Sequence, residues 1–258
     1  MSAAALALPL MLATACSGDE GASLSKSAQE GFLPPEGRIT AEADIVRNLW
    51  DGAWIAALAT GAVVIVLILW ACFFHRKRKN SAALPAQVRY NLPIEIFYTL
   101  VPLVMVSVFF FFTARDQNAM LAVNNDATVK VKVEAVQWSW RFTTESGGKV
   151  KQVMGKPVSD FRQGPQLVLP VDTKVEFQLE SPDVIHSFWV PAFLFKRDVI
   201  PGIAKEKNRF EVTTLNKPGV YAGRCAELCG VDHSRMLFNV KLVSKQEFEQ
   251  DLASGSDQ

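Results

Sequence analysis

The chain has 258 residues, with 27 Lys and Arg against 26 Asp and Glu for a net charge of +1, and it is 49% hydrophobic. That near-neutral balance excludes the basic domain or stripe of a nucleic-acid binder, and a mean hydropathy of +0.14 leaves room for membrane segments beside one globular domain. The four cysteines are unevenly placed: Cys225 and Cys229 share one loop, whereas Cys16 and Cys72 stand alone.

Residues 1–16 read as a signal peptide. The apolar run from Ala3 to Ala15 is too short to span a bilayer and ends in small residues. Leu12-Ala13-Thr14-Ala15-Cys16 resembles a bacterial lipoprotein cleavage site, with Cys16 becoming the lipidated first residue. It departs from that pattern in lacking Lys or Arg before the run and in having Ala13 where Leu is usual. The other reading is an ordinary secretory signal with a free cysteine. Residues 17–48 are expected to be an extracytoplasmic linker, rich in Gly, Ser, Pro and Glu as far as Thr40 and mobile there.

Two transmembrane helices are predicted within 49–114. The first, Gly52 to Phe74, is about 23 residues without a charge, long enough to span. The cluster His75-Arg76-Lys77-Arg78-Lys79 follows it, which places that end in the cytoplasm and both termini outside. Cys72 reads as packing and His75 as an interfacial polar residue. The second span covers about 92–113, with Pro93 suited to a first turn and Pro102 expected to kink the helix. Glu95 near its start is either a carboxylate at headgroup level or a functional intramembrane acid.

From Ala114 the chain reads as strands. Val129, Val131 and Val133 alternate with Lys130, Lys132 and Glu134, and Val175, Phe177 and Leu179 repeat the pattern. Leu237 to Val243 closes the series. Short strands with Pro and Gly turns imply a sandwich or barrel over 115–243. Ser244-Lys245-Gln246-Glu247 is a capping box opening a helix and tail over 244–258. In Gln137-Trp138-Ser139-Trp140 strand alternation would put both indoles on one face; a core pair is the plain reading.

The chemistry concentrates in Cys225-Ala226-Glu227-Leu228-Cys229-Gly230-Val231-Asp232-His233-Ser234-Arg235-Met236. Thiolate, imidazole and thioether together select copper or zinc, and Cys and His with a weak Met form the copper electron-transfer set. His186, in Asp183-Val184-Ile185-His186, is the second histidine in this part of the chain. Two Cys, two His and one Met exceed one copper and suit a pair sharing both sulfurs. A disulfide or a closed zinc site of two Cys and two His also fits the loop, but neither accounts for Met236 or Glu227. Asp183 either orients the His186 ring or a backbone amide, or is a turn residue after Pro182. Leu228, Phe188 and Trp189 are candidates for the apolar shell about the sulfurs.

Cys-x3-Cys-x3-His-x2-Met preceded by Asp-Val-Ile-His resembles the binuclear copper (CuA) site of subunit 2 of the haem–copper cytochrome c oxidases, a likeness running from about Leu49 to Val243. The resemblance implies a two-helix transmembrane hairpin plus an all-β cupredoxin-like barrel. It implies that Cys225 and Cys229 bridge two copper ions, that His186 and His233 each ligate one, and that Met236 and the Glu227 carbonyl are weak ligands. The Glu227 side chain would reach a magnesium ion shared with subunit 1. Tyr90-Asn91-Leu92-Pro93-Ile94-Glu95 with Thr99 and Pro102 resembles the family's second helix, which makes Glu95 the entrance of a proton pathway. Trp138 and Trp140 correspond to the aromatic cluster where electrons enter, one packing inward and the other serving the docking surface. Lys196 to Gly202 resembles the loop facing the catalytic subunit, where Arg197 and Asp198 either join copper to the haem propionates or are ordinary surface ions.

The implied function is electron entry for an aa3-type enzyme of a bacterial cell membrane. Electrons would pass from cytochrome c, or from a cytochrome c subunit of a bc complex, to haem in subunit 1, with subunits 1 and 3 as partners. Oxygen reduction coupled to proton pumping would occur in subunit 1. The absence of Cys-x-x-Cys-His implies a separate electron donor. The alternatives are a membrane-tethered copper-delivery or storage protein, which leaves two spans and Glu95 unexplained, and a quinol oxidase subunit, which the intact ligand set argues against.

Overall fold

The computed structural model describes residues 33–34, 37–77, 87 and 89–255. The proposed signal peptide, Cys16, and residues 17–32, 35 and 36 of the expected linker lie outside the described residues. Among the described residues, two long helices, α1 (Ala43–Phe74) and α2 (Leu92–Leu121), precede ten strands and a closing helix α3 (Lys245–Ala253). Both α1 and α2 are long and apolar enough to cross a membrane, and side chains such as Val66, Phe97 and Phe110 are exposed all round them. A helix apolar on every side and packed on few neighbours needs lipid or partner helices as its solvent. Asn91 caps α2 by accepting from Ile94 N at 3.4 Å, while Pro93 sits in the first turn and Pro102 within the helix.

The strands are β1 (Val129–Val136), β2 (Ser139–Ser146), β3 (Lys149–Met154), β4 (Gln166–Pro170), β5 (Lys174–Glu180), β6 (His186–Val190), β7 (Phe195–Val199), β8 (Arg209–Thr213), β9 (Gly219–Cys225) and β10 (Leu237–Val243). They form two five-stranded sheets, ordered β3-β2-β1-β5-β8 and β4-β10-β9-β6-β7. Pairing is mixed, with β1 parallel to β5 and β4 parallel to β10. The β domain is therefore a cupredoxin-like two-sheet sandwich beside a helical hairpin, as the sequence implied. Val129, Val131, Val133 and Ala135 point into the core, and Lys130 outward, as alternation requires.

Between the sheets lies an aromatic core. Phe238 stacks on Phe188 with centroids 5.0 Å apart, Phe177 stacks on Phe210 at 4.9 Å, and Trp140 meets Phe238 edge-on at 5.2 Å. Such geometries add to the burial energy of the rings. The helix α3 covers one side of the sandwich through buried Phe248 and Leu252. Its cap is the one the sequence signalled, with Ser244 Oγ accepting from Glu247 N at 3.2 Å.

Three expectations need correcting. The linker assigned to 17–48 does not run that far, because α1 begins at Ala43. Ile39, Thr40 and Ala43 are each 0% exposed, so the segment just before the helix is not free coil. Ala41 N donates to Thr213 O at 2.9 Å and Leu215 N to Ile39 O at 2.8 Å, adding a short bridge at the open edge of β8. An edge strand has unpaired backbone groups that a passing segment can satisfy. Second, α2 continues to Leu121 rather than ending near 113, since a charged turn outside the bilayer remains helical when its backbone bonds are made. Third, Trp138 is not on a strand with Trp140. It lies in the two-residue turn between β1 and β2, where strand alternation does not apply.

Candidate metal centre

The end of β9 and the loop between β9 and β10 hold five of the six candidate ligands, Cys225, Glu227, Cys229, His233 and Met236, and β6 brings the sixth, His186. Pairing of Phe188 with Cys225 sets β6 beside β9, so His186, 39 positions earlier, enters the same pocket. His186 is 0% exposed, Met236 0%, Cys229 4% and Cys225 5%. His233 lies half-buried at the rim, and both cysteines are free thiols.

The donor atoms converge. Cys225 Sγ lies 3.8 Å from Cys229 Sγ and 3.9 Å from His186 Nδ1. Cys229 Sγ lies 3.5 Å from His233 Nδ1 and 3.9 Å from Met236 Sδ. The Glu227 carbonyl oxygen is 3.2 Å from Cys225 Sγ. The sulfurs are far beyond the roughly 2.05 Å of a disulfide. A metal with bonds of about 2.3 Å to sulfur and about 2.0–2.1 Å to nitrogen spaces its tetrahedral ligand atoms about 3.5–3.8 Å apart. The spacings therefore suit atoms sharing metal ions. His186 approaches the sulfur pair at Cys225 and His233 approaches it at Cys229.

Asp183 fixes His186. His186 Nε2 lies 2.9 Å from Asp183 Oδ1, which leaves Nδ1 turned toward Cys225. The carboxylate also accepts from Val184 N at 2.6 Å and from Gln137 N at 2.7 Å, so it orients both the ring and the backbone. Burial works to raise the Asp183 pKa, but hydrogen bonds from His186, the two amides and Ser181 outweigh it and hold the carboxyl below its ordinary range. Burial likewise disfavours the His186 imidazolium, yet Cys225 and Asp183 reverse the balance and raise its pKa. At Cys225 burial is outweighed by His186 and nearby backbone donors, and the thiol comes down to about 7. Burial and the neighbouring Cys225 charge push Cys229 up to about 12. Two anions this close are stable together only with a cation between them.

The loop is held from below by a residue that the sequence did not single out. Gln137 Nε2 and Trp138 Nε1 both donate to the Cys229 carbonyl, at 2.8 and 3.0 Å. Gly230 follows with φ +122, and a Cβ there would sit 3.0 Å from the Trp138 ring. The signal available in advance was this glycine directly after a ligand cysteine, where a left-handed backbone and close approach are needed. Trp138 is half-buried and reaches the surface, whereas Trp140 is 0% exposed and donates to the Met236 carbonyl at 3.2 Å.

Other candidates fall elsewhere. Phe188 belongs to the apolar surroundings of the site, 1% exposed, but Leu228 is 78% exposed. Trp189 faces out of the sandwich beneath Arg224, because it alternates with core-facing Phe188. Neither can shield the sulfurs. The Glu227 side chain is exposed. Arg197 donates to Asn208 Oδ1 at 2.9 Å and to the Lys207 carbonyl at 3.0 Å, while Asp198 points to solvent. Glu95 lies in the first turn of α2 and accepts from Asn91 N at 3.0 Å, so it caps its own helix. That turn is about 40 Å along the helix from the β-domain end.

A protein-family profile described as "Cytochrome C oxidase subunit II, periplasmic domain" matches residues 128–243. A "Probable cytochrome c oxidase subunit 2" of Streptomyces coelicolor is 45% identical over 280 residues, covering 96% of this chain and 84% of that protein. The chain belongs to the cytochrome c oxidase subunit 2 family. A second family member, "Cytochrome c oxidase subunit 2" of Mycobacterium bovis, is 36% identical over 292 residues, covering 95% of this chain and 80% of that one. Among solved structures, the periplasmic domain of subunit II of cytochrome oxidase of Bradyrhizobium japonicum is 27% identical. It covers 52% of this chain and 96% of that one, with a TM-score of 0.43. As a subunit 2, the chain is part of a haem–copper terminal oxidase of the membrane, and its cysteine–histidine cluster is where such a subunit would carry copper.

Proposed function

We propose that this chain is the electron-entry subunit of an aa3-type, proton-pumping cytochrome c oxidase. Cys225 and Cys229 would hold two copper ions between them, with His186 and His233 as terminal ligands and Met236 and the Glu227 carbonyl as weak ones. The observation that carries the reading is the pair of free thiols 3.8 Å apart with an imidazole nitrogen at each end. When bound, the CuA centre supplies a one-electron store whose charge change is spread over two metals.

The chain's residues keep that store rigid. Asp183 locks the ring of His186, Gln137 and Trp138 pin the Cys229 carbonyl, and Cys225 N bonds to Met236 O at 3.2 Å across the loop. Ligands held this firmly on strands move little between oxidation states. Trp138 offers a path inward for an electron from cytochrome c or a cytochrome c subunit of a bc complex, because its ring reaches the surface and its N–H touches a ligand's carbonyl. Trp140, wholly buried, serves as core beneath Met236 instead. Electrons leave toward haem in subunit 1, where oxygen is reduced, with subunit 3 completing the complex. The exposed Glu227 carboxylate is available for a magnesium ion shared with subunit 1, and Glu95 for the mouth of a proton pathway. Both termini lie outside the bacterial cell membrane, with residues 1–16 as the signal and Cys16 as the lipid anchor.

Metal analysis of the full chain should find two coppers, with an electron paramagnetic resonance pattern from one electron shared over two nuclei. A single copper with a localised signal would sink the reading. Met236→Leu should keep both coppers and shift the reduction potential; loss of all metal would remove Met236 from the weak-ligand role.

A further inference from the structure

One edge strand carries both ends of the hairpin. The strand is β8, outermost in its sheet, whose free side would otherwise turn unpaired backbone groups to water. On the way into α1, Glu42 Oε2 accepts from Thr213 N at 2.8 Å, and Ala41 N donates to Thr213 O at 2.9 Å. The same segment reaches the other sheet, because Ile39 N donates to Ala192 O at 3.3 Å. On the way out of α2, Glu211 accepts from two successive amides, Asn124 N at 3.0 Å and Asn125 N at 2.9 Å, one on each carboxylate oxygen. Asn125 has φ +58, a left-handed conformation that Asn tolerates. Successive amides turned to one side in this way make an anion-binding concavity.

Glu211 sits where a carboxylate is costly. It alternates with core-facing Phe210 and Val212 and so points out of the sheet, yet it is only 5% exposed. Across the sheet it stands opposite Glu176, also buried, and like charges opposite one another destabilise a strand pair. Arg209 lies 3.7 Å from Glu176 and offsets that carboxylate. The sheet gains nothing from the repulsion; the connector does, because an anion grips both amides with charge-assisted bonds. Glu211 and Thr213 are two residues apart, about 7 Å along the strand. That is close to the roughly 8–10 Å between the axes of packed helices. One attachment would leave a pivot, and relative motion is the default between units joined by short connectors. Two attachments on one strand fix a direction.

We propose that Glu211 and Glu42 are positioning residues that lock the β-domain to the hairpin at two points and so set the height and tilt of the metal loop over the membrane. The inference rests on the electron-entry reading, because a fixed height matters where the loop hands electrons to haem in another chain. Both residues act at a distance from the ligands: β8 lies in one sheet, whereas His186 and Cys225 stand on strands of the other.

Hydrogen exchange of the full chain in lipid nanodiscs reads the lock directly. Glu211→Ala should speed exchange at Asn124 and Asn125 about 10–100-fold, the scale of a lost hydrogen bond to a charged group. Glu42→Ala should do the same at Thr213, and Glu211→Gln, which keeps one acceptor oxygen, should restore part of the protection at 124 and 125. Copper content and spectrum should match wild type in all three. In the assembled oxidase, Glu211→Ala should leave reduction of the copper by its donor unchanged and slow its reoxidation by haem, with Glu211→Gln in between. Exchange at 124 and 125 unmoved by Glu211→Ala would overturn the lock, and faster exchange with unaltered reoxidation would overturn its positioning role. Should Glu211→Ala disturb the copper spectrum, Glu211→Gln decides, and wild-type exchange in that variant overturns the lock. A wild-type chain holding no copper pair would sink the electron-entry reading instead, while the exchange rates still decide the lock.

Discussion

The sandwich and the hairpin solve the burial problem in opposite ways. Between the sheets Trp140, Phe142, Phe177, Phe188 and Phe238 are at most 1% exposed, whereas on the helices Phe97, Phe110 and Phe111 are more than 60% exposed. The same residue type thus supplies cohesion in one region and a lipid- or partner-facing surface in the other. The β-domain carries its own core and can hold ligands within fractions of an ångström. The hairpin takes its stability from surroundings outside the chain. A redox site belongs on the first kind of scaffold, because rigid ligands need a packed interior behind them.

The sharpest contrast comes from deleting one ring in each region. Phe238→Ala should destabilise the β-domain by about 3–5 kcal/mol, the usual result of emptying an aromatic core position, and should lower the thermal midpoint of the full chain. An unchanged midpoint would show that the core is not the source of rigidity. Next in size is Asp183→Asn, which keeps the fold but loosens His186. Copper affinity should fall about 10–100-fold, as is typical when the partner of a metal-bound histidine is altered. Competition with a copper chelator measures this, and an unaltered affinity would reduce Asp183 to a turn residue. Phe110→Ala, at a position 73% exposed, should change stability by less than about 0.5 kcal/mol. A larger loss would mean that the hairpin packs through that face.

The smallest effect is expected at Lys174, whose ammonium bonds Asp126 at 2.8 Å on the surface of the sandwich. The hydrogen bond to Lys174 holds the Asp126 carboxyl below 3.8, so its contribution is present above that pH and disappears as the pH falls through the lower folded value. The bond to Asp126 holds Lys174 above 10.5, so that contribution is present below this pH and lost as the pH rises through the higher folded value. Lys174→Met should therefore lower the thermal midpoint by the same amount at every pH between these limits, and only slightly, because an exposed ion pair is worth little. A marked dependence near neutrality would point to the buried groups of the metal loop instead.

Local pattern made much of this protein legible in advance. Uninterrupted apolar runs marked the hairpin, alternation marked β1 and β5, and the capping box at Ser244 marked α3, since each signal is written within a few residues of chain. The spacing of Cys225, Cys229, His233 and Met236 named the chemistry for the same reason: ligands on one short loop meet however the rest is packed. Tertiary structure alone decided that Trp138 rides a turn above the Cys229 carbonyl while Trp140 is core, that Trp189 faces outward, and that residues 39–41 fasten to the edge of β8. It also set Asp183 against both a ring and two amides. These depend on which strands lie side by side and on what remains unpaired at their edges. Such pairing joins residues tens of positions apart, and no periodicity along the chain records it.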